Sequence, residues 1–304
     1  MLDVKLRSSQ VRAARTRRAG VIIGVILALV FGVYLLWRLG DWALARLVYE
    51  NDAFAIAELD IQTDGVIASE QLRQWAGVKR GDNLLALDLA RVKRNLEEVP
   101  FVQTVSIERV LPRSLRIRVC EREPLAQINV PRQRPGERDG QISFQLDADG
   151  CAMLPLEPRQ RAIPLNPAAE QMPLITGLKT DGEVRPGRII ETPQVRAALQ
   201  LIQSFEHSQM AAFVDVRRID ASAAEALVVT TGQGSEITFG LADLDQQLRR
   251  WHEIYGAGLK WGKAISALDL AVSNNIPARW IEASAVAPTP PKLPKLLKNK
   301  KKHV

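Results

Sequence analysis

The chain has 304 residues, 46% hydrophobic and 25% charged, which is the composition of folded domains and enough length for one or two of them. Its net charge of +7 sits at the ends: 1–18 carry +5 and the six lysines of the last thirteen residues +6, so the body between is acidic, at −4. An acidic body argues against a nucleic-acid groove in the folded part.

In 1–18, Lys5, Arg7, Arg12, Arg15, Arg17 and Arg18 face the single acid Asp3. The following run, 19–37, is apolar throughout and covers roughly 28 Å as a helix, close to the hydrocarbon thickness of a bilayer. It predicts one transmembrane helix. A cleaved signal peptide, a buried soluble helix and, at Arg17-Arg18, a twin-arginine signal are the rivals. Ala43-Leu44-Ala45 resembles a cleavage site, but the run is longer than the roughly 7–15 residues of a signal peptide's apolar core. The basic excess puts the N-terminus in the cytoplasm and everything after about residue 40 outside. Cys120 and Cys151 then face an oxidising compartment, where a disulfide is permitted; two thiols that never meet are the alternative. Residues 39–48 continue the helix, with Leu39, Trp42, Ala43 and Leu47 on one stripe and Trp42 and Tyr49 at headgroup depth.

From Phe54 the pattern alternates, with Ala57, Leu59 and Ile61 on one face of a strand ending at Thr63-Asp64-Gly65. A helix N-capped by Ser69 follows, Leu72 and Ala76 inward and Gly77 at its C′ position. Gly81-Asp82-Asn83 turns into Leu84-Leu85, and Asp88 caps a second helix with Leu89, Val92, Leu96 and Val99 inward, stopped by Pro100. Two strands close the unit, one with Val105 and Ile107, the other with Leu115, Ile117 and Val119 inward and Arg116, Arg118 and Cys120 outward. The order is β-α-α-β-β.

Gly81-Asp82-Asn83-Leu84-Leu85, Leu87-Asp88, Val99-Pro100-Phe101-Val102, Arg109 with Pro112, and Glu121-Arg122-Glu123-Pro124-Leu125-Ala126 resemble, in series, the POTRA domain of the FtsQ/DivIB cell-division family. The family's layout of a short cytoplasmic tail, one transmembrane helix and a membrane-proximal POTRA domain is the layout read above from charge and periodicity. POTRA domains also occur in outer-membrane barrel and two-partner secretion proteins, but this chain has no room for a barrel's series of strands.

A Pro/Arg/Gly loop around 131–140 leads to Ile142, Phe144 and Leu146 alternating into Asp147-Ala148-Asp149-Gly150, a hairpin signal. Pro173-Leu174-Ile175-Thr176-Gly177 resembles the family's Leu-Pro-x-x-x-Gly segment. Thr192-Pro193 opens a helix with Val195, Ala198, Leu199 and Ile202 inward. Strands are predicted at 214–219, 226–230 and 236–239, broken by Gly232-Gln233-Gly234. A helix over 243–255 then puts Leu244, Leu248, Trp251 and Tyr255 on one face. A strand with Leu268, Leu270 and Val272 alternating, an Asn274-Asn275 turn and a strand over 276–281 resemble the end of the family's second domain.

The expected fold class is α+β: a single-pass membrane protein with a β-α-α-β-β POTRA domain and a mixed, mostly antiparallel β domain with flanking helices. The expected segments are 1–18 basic tail, 19–38 transmembrane helix, 39–52 connector, 53–122 POTRA domain, 123–284 β domain and 285–304 a Pro/Lys tail. That tail should be disordered, either solvated or meeting anionic headgroups.

No catalytic set is expected. His252-Glu253-Ile254-Tyr255-Gly256 begins like a zincin helix but has Gly256 where the second histidine belongs. No Ser-x-x-Lys occurs, His207 and His303 lack metal-spaced partners, and no phosphate-binding or dinucleotide fingerprint is present, so no cofactor or metal is expected. The resemblance implies a non-enzymatic divisome scaffold in the inner membrane, bulk periplasmic and concentrated at the septum. It would dock the FtsB/FtsL pair at the C-terminal hairpin and other division proteins, such as FtsK, at the POTRA domain; a POTRA-bearing component of protein export or outer-membrane assembly is the alternative. The docking residues it implies are Ile254, Tyr255, Asp269, Leu270, Ala271, Val272, Ile276, Arg279 and Trp280, with core the competing role for Leu270, Val272 and Trp280. The family's Arg-Tyr after Asp-Leu is Ala271-Val272 here. Pro277 is expected to turn its nitrogen to the outer edge and shorten strand addition there.

Overall fold

A computed structural model describes residues 4–44, 46, 52–131, 140–164, 171–178, 183–272 and 275–282, with side chains for those from residue 22 on except 43 and 44. The expectations at Leu47 and Tyr49, for 132–139, at Asn274 and for the C-terminal tail fall outside the described residues.

Helix α1, Val4–Leu44, contains the one stretch among the described residues long and apolar enough to cross a membrane, Ile22–Trp42. Twenty-one residues span about 32 Å as a helix. Leu36 and Trp37 are about 70% exposed, and none of the span is packed against protein, so lipid is the solvent that suits it.

The β-α-α-β-β order holds: β1 Glu58–Thr63, α2 Ser69–Ala76, α3 Leu89–Glu97, β2 Val102–Val110 and β3 Ser114–Glu121, with the strands in the order β1-β3-β2. The alternation of β3 is complete, since Leu115, Ile117, Val119 and Glu121 are all buried. Two local expectations are corrected. The first strand begins at Glu58 rather than Phe54, and Ile56 is buried where Ala57 is exposed. The cause is that 54–56 bond to the Gly81 turn instead of a strand: the Ile56 N–H donates to the Asp82 carbonyl at 2.9 Å and the Leu84 N–H to the Phe54 carbonyl at 2.8 Å. Ser69 is the first residue inside α2 and not its cap; Ala68 holds the cap position, with no side-chain bond. The C-terminus is as expected, with Gly77 left-handed (φ 67°) and its N–H on the carbonyls of Arg73 and Gln74.

The chain divides into two compact units, one of 1–60, 79–88 and 108–115 and the other of 61–78, 89–107 and 116–304. Within the first, Arg109 ties the Gly81 turn down through its Nε on the Leu84 carbonyl (2.9 Å) and its Nη2 on the Leu87 carbonyl (2.6 Å). Within the second, the Glu121-Arg122 pair is a junction. The Glu121 carboxylate, 3% exposed, accepts the Thr63 hydroxyl and the N–H groups of Val66 (2.8 Å) and Ile67 (3.0 Å). Arg122 donates to Asp147 at 2.7 Å, and Asp147 also accepts the N–H groups of Asp149 and Cys151, which sets the predicted Asp147–Gly150 turn. Cys120 and Cys151 are not bonded to each other.

The larger sheet has nine strands: β4 Ala126–Pro131, β5 Gln141–Leu146, β6 Ala152–Met153, β7 Leu174–Thr176, β8 Val216–Asp220, β9 Ala226–Thr231, β10 Glu236–Gly240, β11 Lys263–Asp269 and β12 Ala278–Glu282. Their spatial order is β12-β11-β10-β9-β8-β7-β4-β5-β6. Helix α4, Pro193–His207, carries the chain from β7 to parallel β8, and α5, Leu244–Lys260, from β10 to parallel β11. The other neighbours are antiparallel except β4 and β7. Thr192 caps α4 as its position before Pro193 predicts, its Oγ1 accepting the Val195 N–H. Val195, Ala198, Leu199 and Ile202 of α4 and Leu244, Leu248 and Trp251 of α5 enter one core with Ile219, Val229, Ile237 and Phe239 of the sheet. Trp251 is the hub, stacked on Phe205 and edge-on to Phe239 at about 6 Å each.

Candidate partner-binding edge

Helix α5 runs five residues past its predicted end at Tyr255, through Gly256 and Gly258. Glycine weakens a helix interior by about 1 kcal/mol, so its presence needs a packing reason. At Gly258 the reason is a ring: a Cβ there would overlap the Trp280 indole and stand 3.0 Å from the Lys263 carbonyl. Trp280 lies flush against the helix because that position has no side chain. Trp261, just past the helix end and 65% exposed, meets Trp280 edge to face, with ring centroids 5.8 Å apart.

Trp280 belongs to β12, the terminal strand of the sheet, whose neighbour on one side is β11. Among the described residues no strand pairs with its other side, which presents a row of backbone donors and acceptors. The register fixes which groups these are. The Asp269 N–H donates to the Pro277 carbonyl at 3.0 Å, and the following partners are Leu268 with Ala278 and Ala267 with Arg279; after a bulge at Ser266, Ile265 pairs with Trp280 and Ala264 with Ile281. Along an extended strand successive residues turn their N–H and C=O to opposite sides. Pro277, Arg279 and Ile281 therefore face β11, and Ala278, Trp280 and Glu282 face outward.

This register corrects the expectation for Pro277. Its nitrogen lies on the β11 side, so the donor it lacks is missing from the inner ladder, and the outer row from Ala278 to Glu282 is uninterrupted. β11 is also displaced toward the N-terminus: it spans Lys263–Asp269, and Val272, 41% exposed, lies beyond it. The strand stops there because Asp269 folds back, its Oδ1 accepting the Ala271 N–H at 3.1 Å.

Residues 54–122 match the sequence profile of the POTRA domain, FtsQ-type. The Cell division protein FtsQ of Geobacter sp. strain M21 is 25% identical over 78% of this chain and 80% of its own length. That of Myxococcus fulvus is 26% identical over 82% and 80%. The Cell division protein DivIB of Clostridium acetobutylicum is 30% identical over 33% of this chain and 36% of its own. Residues 54–122 are thus of the FtsQ POTRA type, and most of the chain is similar to FtsQ proteins.

Relative to the docking residues implied by the FtsQ resemblance, the structure separates three groups. Ala271 and Arg279 are exposed, and with Trp280 they lie on or beside the terminal hairpin. Leu270 is core: 1% exposed, with its N–H on the Thr238 carbonyl at 2.8 Å, it has no surface to offer, because the backbone bonding to β10 carries on past the end of β11. Ile254, Tyr255 and Ile276 are half-buried against the same core. Tyr255 turns to Phe213, ring centroids 5.5 Å apart, and burial pushes its phenol above the ordinary value. Sequence reasoning missed Gly258, Trp261 and Ile281. The signal for two of them was present as Gly256-x-Gly258 inside a helical pattern followed by Lys260-Trp261-Gly262, glycines with no turn to make and a tryptophan off the apolar stripe.

Proposed function

We propose that this FtsQ-type protein is a non-enzymatic divisome scaffold that holds the FtsB/FtsL-type pair at the outer edge of β12, and that it links early and late division proteins through this edge and its POTRA domain, the latter meeting partners such as FtsK. Its N-terminus lies in the cytoplasm, as the basic residues of 1–18 favour, its bulk in the periplasm, and it gathers at the septum. The observation that carries the reading is the uninterrupted outward row at Ala278, Trp280 and Glu282 on a terminal strand, the geometry to which a partner strand adds by main-chain hydrogen bonds. The relatives are named as cell-division proteins, and no observation favours the export alternative.

Proline scanning of the full chain tests it, with co-purification of the FtsB/FtsL pair of the same organism as readout. Ala278→Pro removes an outward donor and should abolish capture while the melting temperature holds. Arg279→Pro removes an inward donor and should lower the melting temperature. Capture undiminished in a folded Ala278→Pro protein would overturn edge docking. Septum-less filaments on depletion are the expected cellular outcome; normal division would overturn the scaffold role.

A further inference from the structure

The end of the sheet at β12 carries an exposed aromatic ring from a different element. Trp261 is attached to the end of α5, not to the hairpin. It leaves most of its indole in water while its edge contacts Trp280, whose backbone faces outward. Leu259, 57% exposed, extends apolar surface at that corner, whereas Ile281, 40% exposed, lies on the other face of β12 with Arg279. Burial of a tryptophan is among the largest apolar gains available to a single side chain, and tryptophans are enriched among residues that dominate interfaces. Among the described residues, the exposed charged groups around this corner are Lys260, Lys263, Arg279 and Glu282, three cations to one acid, while the half-buried Asp269 bonds back to the Ala271 N–H.

We infer that Trp261 is the principal side-chain anchor for the strand that adds to β12, and that the incoming segment alternates apolar and acidic residues. This rests on the edge-docking reading above and adds to it the chemistry of the occupant. Side chains of β12 alternate between faces, so Trp280 lies on the α5 face with Trp261, and Arg279 on the opposite face. A strand laid along the outer row presents every second side chain to the Trp261–Trp280 pair, where an apolar group fits. The intervening side chains stand beside Arg279, where a carboxylate fits. The charge balance of the corner is what selects an acidic segment over a basic or neutral one.

The test is the affinity of the full chain in nanodiscs for the full-length FtsB/FtsL pair, comparing wild type with Trp261→Ala, Trp261→Phe, Arg279→Glu and Ala278→Pro, alongside melting temperatures. Trp261→Ala should weaken binding about 30-fold, the loss expected of a hot-spot residue, with an unchanged melting temperature because the indole is mostly in water. Trp261→Phe should recover part of the loss, and Arg279→Glu should weaken binding about tenfold with a shallower salt dependence. If Ala278→Pro abolishes binding while Trp261→Ala and wild type bind equally, the edge reading stands and the anchor is refuted. If Arg279→Glu binds as wild type does, the acidic half is refuted. If Ala278→Pro is without effect, edge docking fails and the anchor with it. If wild type self-associates through this corner and Trp261→Ala abolishes that, a second copy is the occupant and the inference is overturned.

Discussion

Replacing Glu121 by alanine tests whether the Glu-Arg-Glu motif is structural. The carboxylate accepts two backbone N–H groups and the Thr63 hydroxyl, and Ile67, one of the donors, is fully buried. A buried donor stripped of its acceptor costs about 1–3 kcal/mol. The Ile67 N–H loses its acceptor outright, while the half-buried Val66 N–H and Thr63 hydroxyl have some access to water, so they add less. Removing a buried carboxylate also relieves some desolvation. Together these place Glu121→Ala at about 2–3 kcal/mol destabilised, and Glu121→Gln, which keeps one carbonyl oxygen, at about 1 kcal/mol. For a folded part of this size the larger change lowers the melting temperature by about 5–10 °C. Thermal unfolding of the detergent-solubilised full chain, followed by circular dichroism, measures it, with amide hydrogen exchange at Ile67 as the local readout. An alanine variant that melts within 2 °C of wild type, with the Ile67 amide still protected, would refute the assignment.

Gly258→Ala should destabilise the protein by about 1–3 kcal/mol through overpacking against the Trp280 ring. The near-ultraviolet dichroism of the tryptophans should change with it, and an unchanged spectrum and melting curve would show that Trp280 does not rest on that position. The two thiols should differ in reactivity. Cys151 is 3% exposed and burial pushes its thiol up, a rise that Asp147 and Asp149 reinforce and Arg122 partly offsets, whereas Cys120 is half-buried. A thiol reagent at pH 8 should label Cys120 at least about ten times faster than Cys151 in the folded chain; equal rates would contradict the burial of Cys151.

Much of this fold is legible locally. The Pro-capped α4, the hairpin at Asp147–Gly150, the left-handed Gly77 and the complete alternation of β3 each depend on residues within a few positions of one another. Where the expectation failed, a distant segment had intervened. Phe54 to Ile56 alternates like a strand but bonds to the Gly81 turn, and α5 carries a glycine at position 258 because Trp280, more than twenty residues later, occupies the space beside it.

The sequence by itself determined the apolar span of α1, the type and order of nearly all the elements and the FtsQ-type POTRA series, since periodicity, capping and motif order are properties of neighbouring residues. Only the tertiary structure decided which residues line the candidate edge. Whether Pro277 interrupts the outer or the inner face of β12 depends on one hydrogen bond to Asp269, and whether Leu270 is core or contact depends on its bond to Thr238. Trp261 joins the edge only because α5 returns its end to β12. Register and packing between elements set these outcomes, and a single chain encodes them only through the whole fold.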